Sequence, residues 1–413
     1  MKTEEISNEV NQLKIAKEKK ESELVEIEGH LENKANEFLI KAQLWKTFYS
    51  EPDWFDRTVD CYEKALEASR TVEVIFQYAL FLQNHNKFYQ AQPLYEEALK
   101  LRRELARENP HTYLPDVAKT LNNLAIIQKV KNEFDDSKNN YREALQIYRS
   151  LAKEDPGKYL PRVAATLNNL AELHSKKSEF GEAMEKYQEA LQIQKSFDRE
   201  NPGTYLSDVA ATMNNLANLH KAKNEFDVAL GKYVEALQIR RELAKKNPKT
   251  YLPDLAMTLN NLANLYADKN EFGEAYEKYE EALQIRRELA RENPRTSLPD
   301  LAMTLNNLAN LHAAKNEYDE ALVKYDEALQ IYRSLDKENP GAFLPYVATT
   351  VINLSIFYFK SLPDKEKSIT LAMETLEIAK QFPDHYQLQQ NAQKAIQVLQ
   401  AHGVDTDKLM KNV

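Results

Sequence analysis

Glycine is scarce in this 413-residue chain: there are 8, and no two fall within a six-residue window. Loops that cradle phosphate need several close glycines, so a nucleotide site of that kind is not expected. Cysteine is scarcer still. Cys61 stands alone, which excludes an intrachain disulfide and a cysteine metal cluster and points to a reducing cytoplasm. The 8 histidines never form H-x-x-x-H, so the helical zinc-hydrolase signature is missing as well. No apolar run approaches the roughly 18 residues of a spanning helix. Residues 1–34 are charged throughout and lack the apolar centre of a secretory signal. An excess of basic charge is also missing. With 55 Lys and Arg against 64 Asp and Glu, net charge −9, nucleic acid is not expected as a partner, and a basic or neutral protein is easier to accommodate. No catalytic residue, cofactor or metal ligand is therefore nominated, membrane association is not expected, and an enzyme remains only as a remote class.

What the chain does have is charge and periodicity. Charged residues make up 29% and hydrophobic residues 43%, a composition suited to long helices washed by solvent. The dipeptides Asn109-Pro110, Asp155-Pro156, Asn201-Pro202, Asn247-Pro248, Asn293-Pro294 and Asn339-Pro340 recur every 46 residues without drift. A fixed register of that length means stacked copies of one supersecondary unit. Within a copy, Leu121, Leu124, Ala125 and Gln128 mark one face of a helix, and Phe134, Ser137, Tyr141, Ala144 and Leu145 mark a second. Each copy therefore reads as a helical hairpin. Asn-Pro ends its second helix, and Pro115, Pro161, Pro253, Pro299 and Pro345 are placed at the opening of the first.

The segments T-L-N-N-L-A, K-N-E-F and Y-x-E-A-L-Q-I resemble the tetratricopeptide repeat. The family's small residues correspond to Ala79, Ala125, Ala171, Ala217, Ala263 and Ala309 in the first helix and to Ala91, Ser137, Ala183, Ala229, Ala275 and Ala321 in the second. The 46-residue period is longer than the usual repeat of about 34. In this the chain resembles kinesin light chain and nephrocystin-like repeats and the sensor halves of bacterial signalling and conflict proteins. The resemblance covers roughly residues 35–382. It implies an all-α, right-handed superhelical solenoid of about eight hairpins, with a concave groove that binds protein.

The expected organisation is an N-terminal charged helix or coiled coil over 1–34, two hairpins of ordinary length over 35–107, and five long hairpins over 108–344. A degenerate last hairpin over 345–382 and a capping helix with tail over 383–413 complete it. In the N-terminal segment Ile6, Leu13 and Ile27 share one heptad position and Val10, Leu24 and Leu31 the other, but Lys17 and Lys20 interrupt the seam. A coiled coil and a solitary charged helix both remain open.

His174, His220 and His312 recur in register on the packing face of the first helix and read as structural, as does the tyrosine ladder of the second helix. The asparagines are the sharper signal. Asn122, Asn168, Asn214, Asn260 and Asn306 hold one position in five consecutive first helices, and each is followed by a second Asn. Asn has no propensity reason to be there. By resemblance the first Asn lines the concave surface, as does the residue four further on: Ile126, Glu172, Asn218, Asn264 and Asn310. A carboxamide both donates and accepts, so such a ladder could grip the main chain of an extended peptide. At helix spacings of about 8–10 Å, five rungs match a segment of about 12–15 residues. The bland alternative is that both asparagines bridge neighbouring hairpins. Lys129 and Lys221, replaced by Ala267 and Ala313 in later copies, predict a ligand whose acidic end lies toward the early repeats and whose apolar part meets Met257 and Met303.

Two functions follow as expectations. One is a non-enzymatic adaptor or sensor that captures a peptide or protein and recruits or regulates a separate effector, in a bacterial signalling or defence system. The other is a structural scaffold that assembles through residues 1–34 and the solenoid faces.

Overall fold

The computed structural model describes residues 2–48, 51, 53–85, 87–338, 341–382 and 385–406, without the side chains of residues 2–16, 18, 21, 22, 24, 25, 295 and 386. Among these the only regular secondary structure is helix. In order the helices are α1 (Lys2–Trp45), α2 (Trp54–Ala68), α3 (Val72–Asn84), α4 (Phe88–Glu108), α5 (Pro110–Val130), α6 (Phe134–Leu151), α7 (Pro156–Lys176), α8 (Phe180–Glu200) and α9 (Leu206–Ala222). They continue with α10 (Phe226–Lys246), α11 (Pro248–Asp268), α12 (Phe272–Glu292), α13 (Pro294–Ala314), α14 (Tyr318–Glu338), α15 (Leu344–Lys360), α16 (Lys365–Lys380) and α17 (Tyr386–Ala401). No helix among the described residues is long and apolar enough to cross a membrane. The chain divides into two compact units, residues 1–124 and 125–413.

In the first unit consecutive helices from α1 to α4 pack as hairpins. Ala35 of α1 and Ala65 of α2 are buried together with Val74 of α3, and Tyr62 stacks on Tyr78 at 5.2 Å. The helix α1 runs unbroken through Lys34, so its last part, with Ala35 and Ala42 buried, serves as the first helix of the first hairpin. Ile27 and Leu31 are 55% and 45% exposed. Ile6, Val10, Leu13 and Leu24, the rest of the heptad seam, have side chains outside the described residues.

The second unit repeats one hairpin. Small residues let its two helices approach: Ala171 against Ala183, Ala217 against Ala229 and Ala263 against Ala275 are all fully buried. The second helix contributes a buried tyrosine in five successive copies, Tyr141, Tyr187, Tyr233, Tyr279 and Tyr325. The turn within the hairpin passes through a left-handed residue, Asn132, Ser178, Asn224, Asn270 or Asn316, four of five of them the residue type that tolerates this region best after glycine. His174 and His220 then accept a backbone N–H through their carbonyls, from Glu179 and Glu225 at 2.9 Å each. Their rings, and that of His312, also bond through Nδ1 to the carboxylate of Glu179, Glu225 or Glu317.

The residues beyond the ordinary repeat length are helix. Asn247 ends α10, its N–H donating to Leu243 O at 3.0 Å, and caps α11 by accepting from Thr250 N at 3.3 Å, with Pro248 at the first position. Asp155 caps α7 in the same way, accepting from Lys158 N at 3.0 Å. One residue separates α4 from α5, α10 from α11 and α12 from α13, and four separate α6 from α7. The expectation that Pro115, Pro161, Pro253 and Pro299 open the first helices is corrected accordingly: all four lie inside 21-residue helices. The cap and preceding proline start each helix five residues earlier, and an N–H missing so near the start forfeits only a bond to the first turn. Pro345 does sit at the opening of α15, while Asn339-Pro340 lies outside the described residues.

Two first helices, α9 and α15, begin a turn late and have 17 residues. Before α9, Asp198 accepts from the N–H of Gly203 at 3.0 Å and of Tyr205 at 3.3 Å, and Gly203 has φ 91°, a region that favours glycine. Before α15, Asp336 accepts from Phe343 N at 3.1 Å. At the C-terminal end Ser355 and Ser368 exchange hydroxyl-to-carbonyl bonds, and α17 packs on α15 and α16. Its Leu388, Ala392, Ala395 and Leu399 are buried.

Candidate partner-binding face

The first helices of the repeats place the predicted asparagines in two different settings. Asn214, Asn260 and Asn306 are 1%, 2% and 7% exposed. Each accepts from the second asparagine of the following copy, Asn261, Asn307 and Asn353, at 3.3 Å. Asn168 donates through Nδ2 to the hydroxyl of Thr212 of the next first helix at 2.7 Å. In the first unit Asn122 is half-buried, and its neighbour Asn123 donates to Tyr95 Oη at 3.3 Å. The expectation of groove-facing rungs at Asn168, Asn214, Asn260 and Asn306 is corrected: these amides bond to the next hairpin, Asn168 through its nitrogen and the other three through their oxygens. A buried amide that gave up such a bond to reach a ligand would leave its partner unsatisfied, at about 1–3 kcal/mol.

Four residues further along the helix the setting changes. Asn218 and Asn310 are exposed and Asn264 is half-buried, and each accepts through Oδ1 from a tyrosine of its own hairpin, Tyr233 at 2.5 Å, Tyr279 and Tyr325. Burial pushes these three phenols well above their usual pKa, so the hydroxyls stay protonated donors. With the oxygen held, the amide is oriented and its Nδ2 is left to donate elsewhere. The tyrosines, read from the sequence as packing alone, are thus also positioning residues. The constant separation of 15 residues between amide and phenol was the available signal.

Glu172 and the lysines are placed otherwise than expected. Lys129 is 6% exposed, and its Nζ lies 2.6 Å from Glu172 Oε2. Lys221 pairs with Asp268 at 2.9 Å. Both cations are neutralised by the next hairpin, which corrects the expectation that they read the acidic end of a ligand. Met257 is 37% exposed, while Met303, Ala267 and Ala313 are half-buried.

A second inter-hairpin device escaped the sequence reading. Arg102, Arg240 and Arg286, in the second helices, are 2–3% exposed and donate through Nη1 to the carbonyls of Asp116, Asp254 and Asp300. The same nitrogens reach the hydroxyls of Thr120, Thr258 and Thr304. Arginine at a fixed offset from threonine carried that information, but charged residues on a helix are read as solvated by default. Among the described residues no group of three or more His, Cys, Asp or Glu is placed to hold a metal ion.

The tetratricopeptide repeat pattern matches residues 116–196, 208–288 and 254–334, together just over half of the chain. No curated protein matches in sequence. Among solved structures, BtubC (BKLC) from P. vanneervenii is 25% identical, over 62% of this chain and 94% of that one, with a TM-score of 0.48. A STAND protein with a tetratricopeptide repeat sensor from Pyrococcus horikoshii is 14% identical, over 92% of this chain and 51% of that one, with a TM-score of 0.50. The apo form of RapI is 13% identical, over 88% and 97%, with a TM-score of 0.48. With its repeats matched over just over half of its length, the chain belongs to the tetratricopeptide repeat family.

Proposed function

We propose that this chain is a non-catalytic adaptor or sensor that binds an extended segment of a partner protein along the first-helix face of residues 125–413 and thereby recruits or regulates a separate effector. The observation that carries the reading is the row of tyrosine-held amides at Asn218, Asn264 and Asn310, whose N–H groups, without a hydrogen-bond acceptor among the described residues, repeat every 46 residues. They suit carbonyls of a main chain and ignore its side chains, leaving selectivity to neighbours such as Met257 and Met303. Support for a bacterial signalling or defence setting comes from the resemblance of the long repeat to sensor halves, and the neighbouring gene tests it.

The test is capture of a partner from native lysate followed by measurement of its affinity for the triple variant Asn218→Ala, Asn264→Ala, Asn310→Ala. Three bonds of about 0.5–1.5 kcal/mol each imply a loss of at least about tenfold with helicity retained. Unchanged affinity would remove the amide row from the mechanism.

The exposure of Ile27 and Leu31, one turn apart on α1, favours a second reading, a scaffold that self-associates through its N-terminal helix. Deleting residues 1–34 leaves Ala35 and Ala42 to pair with α2. Light scattering should then show loss of oligomers under the scaffold reading and no change under the adaptor reading.

A further inference from the structure

The junction between α7, α8 and α9 differs from the other junctions in the second unit. Because α9 starts a turn late, a cavity of about 250 Å³ opens between the end of α8 and the facing sides of α7 and α9. The buried-arginine register reaches this junction as Gln194, and the acidic position facing it is Asp208. Gln194 is 4% exposed, and its Oε1 accepts from Thr212 at 2.8 Å. Its Nε2 has no partner among the described residues.

Asn215 also stands apart. Its counterparts Asn261, Asn307 and Asn353 each donate to an asparagine of the preceding copy, whereas Asn168, the asparagine of the copy before Asn215, pairs with Thr212 instead. Asn215 is left without a hydrogen bond among the described residues while lining the cavity. Asp208 lines the same space and has no hydrogen-bond or ion-pair partner among the described residues. Its counterparts Asp254 and Asp300 act electrostatically on the buried guanidiniums of Arg240 and Arg286. Asp208 is solvent-exposed, and the partial desolvation it meets beside the cavity holds its carboxyl above its ordinary pKa. The remaining walls include Phe197 and Tyr205, edge to face at 5.4 Å.

The other late-starting helix, α15, has its junction filled from within the chain. There Tyr332 and Tyr346 occupy the registers of Gln194 and Asp208 and stack on each other at 5.3 Å.

We propose that this cavity is a side-chain subsite for one basic residue, arginine above all, of a partner polypeptide. A guanidinium would meet the Asp208 carboxylate and stack against Phe197 or Tyr205, and the adjoining peptide carbonyl would accept from Gln194 Nε2 and Asn215 Nδ2. The volume is below the usual range for whole small-molecule ligands, about 300–1,000 Å³, and suits one long side chain. An isolated anionic residue would meet Asp208 as a like charge. The proposal deepens the reading of this chain as a binder of extended segments, but its test needs no partner protein.

The probes are Nα-acetyl-arginine N-methylamide and its neutral isostere, the citrulline analogue, titrated into the full isotope-labelled chain with side-chain amide resonances observed by NMR. The arginine probe should saturate with a Kd on the order of 1 mM, shift the Asn215 and Gln194 amides, and bind at least tenfold more tightly than citrulline. Asp208→Asn should abolish that preference. Gln194→Arg, which installs the residue used at the same register by Arg240 and Arg286, should fold and should abolish binding. Equal binding of arginine and citrulline, or retained arginine binding in both folded variants, overturns the proposal. If no partner is captured from lysate yet the arginine probe binds as described, the adaptor reading fails and the subsite stands.

Discussion

The ammonium of Lys129 lies 2.6 Å from the carboxylate of Glu172, one hairpin further along, and the two ends of this pair meet water very differently, at 8% and 42% side-chain exposure. Burial pushes Lys129 below its ordinary pKa against the pull of Glu172. Burial also opposes the charged form of Glu172, but the attraction of Lys129 and Lys176 holds it below the usual value.

That asymmetry predicts unequal costs for removing either partner. Glu172→Gln strands a buried ammonium and should cost about 2 kcal/mol, less than the roughly 3–5 kcal/mol of a fully buried pair because one end is wet. Lys129→Met leaves a carboxylate that water and Lys176, 3.8 Å away, still solvate, so its cost should stay below about 1 kcal/mol. Urea midpoints of the two variants decide it, and an equal or reversed order would show that burial of the lysine does not govern the pair's energetics.

His174 predicts a dependence on pH. Its ring is 3% exposed and bonds to Glu179, which Lys138 also approaches at 3.2 Å and Lys177 at 3.7 Å. Burial holds His174 below 6.5 despite the pull of Glu179. As pH falls through 6.5, the unfolded chain takes a proton that the folded ring resists, so stability declines. Glu179 is held below 4.5 by His174 and Lys138, so its contribution is present above 4.5 and lost as pH falls further. His174→Gln should flatten the limb between pH 7 and 5 and leave the steeper acid limb. Gln128, at the same position one copy earlier, is accommodated, accepting from Asn140 at 2.8 Å. Urea unfolding at pH 7.5, 5.5 and 4 reads both limbs, and an identical profile in the variant would locate the titration elsewhere.

Asn260 and Asn310 separate holding the stack together from gripping a partner. Asn260 Oδ1 accepts from Asn307 at 3.3 Å and Thr304 at 3.4 Å in a dry setting, so Asn260→Ala should lower stability by about 1–3 kcal/mol. Asn310 is exposed, and Asn310→Asp keeps an oxygen to accept from the buried Tyr325 hydroxyl while removing the N–H donors, so it should alter stability by under about 1 kcal/mol and instead weaken partner binding. Denaturation and affinity measured on both variants give the answer; a stability loss at Asn310 as large as at Asn260 would make both positions structural.

These residues also show where sequence alone stops. The hairpins were legible because Asn-Pro recurs at a fixed interval and Tyr and Ala stripes need only helical spacing to be read. The roles of adjacent asparagines were not, because Asn260 and Asn261 sit about 100° apart on one helix. Which of them meets the next hairpin depends on how the helices cross. The late start of α9 was concealed by a shared dipeptide: Gly157 follows Asp155-Pro156 yet is helical, while Gly203 follows Asn201-Pro202 in a turn. What distinguishes them is Asp198, which takes the loop N–H groups where the earlier copy has Ala152. The same concealment hid the cavity beside Asp208.

Arg240 carries the last prediction. It is 2% exposed, burial pushes its guanidinium below the usual value with only partial relief from Asp254, and its Nε has no hydrogen-bond partner among the described residues. A buried cation so placed is costly, and replacement of such groups by apolar residues of similar length is often neutral or stabilising. The groups it serves are not orphaned by its removal, because Thr258 Oγ1 already donates to the carbonyl of Asp254 at 3.2 Å. Arg240→Met should therefore leave the urea midpoint unchanged or raise stability by about 1 kcal/mol. A loss above about 2 kcal/mol would mean that the guanidinium's bonds to Asp254 and Thr258 outweigh the cost of burying its charge.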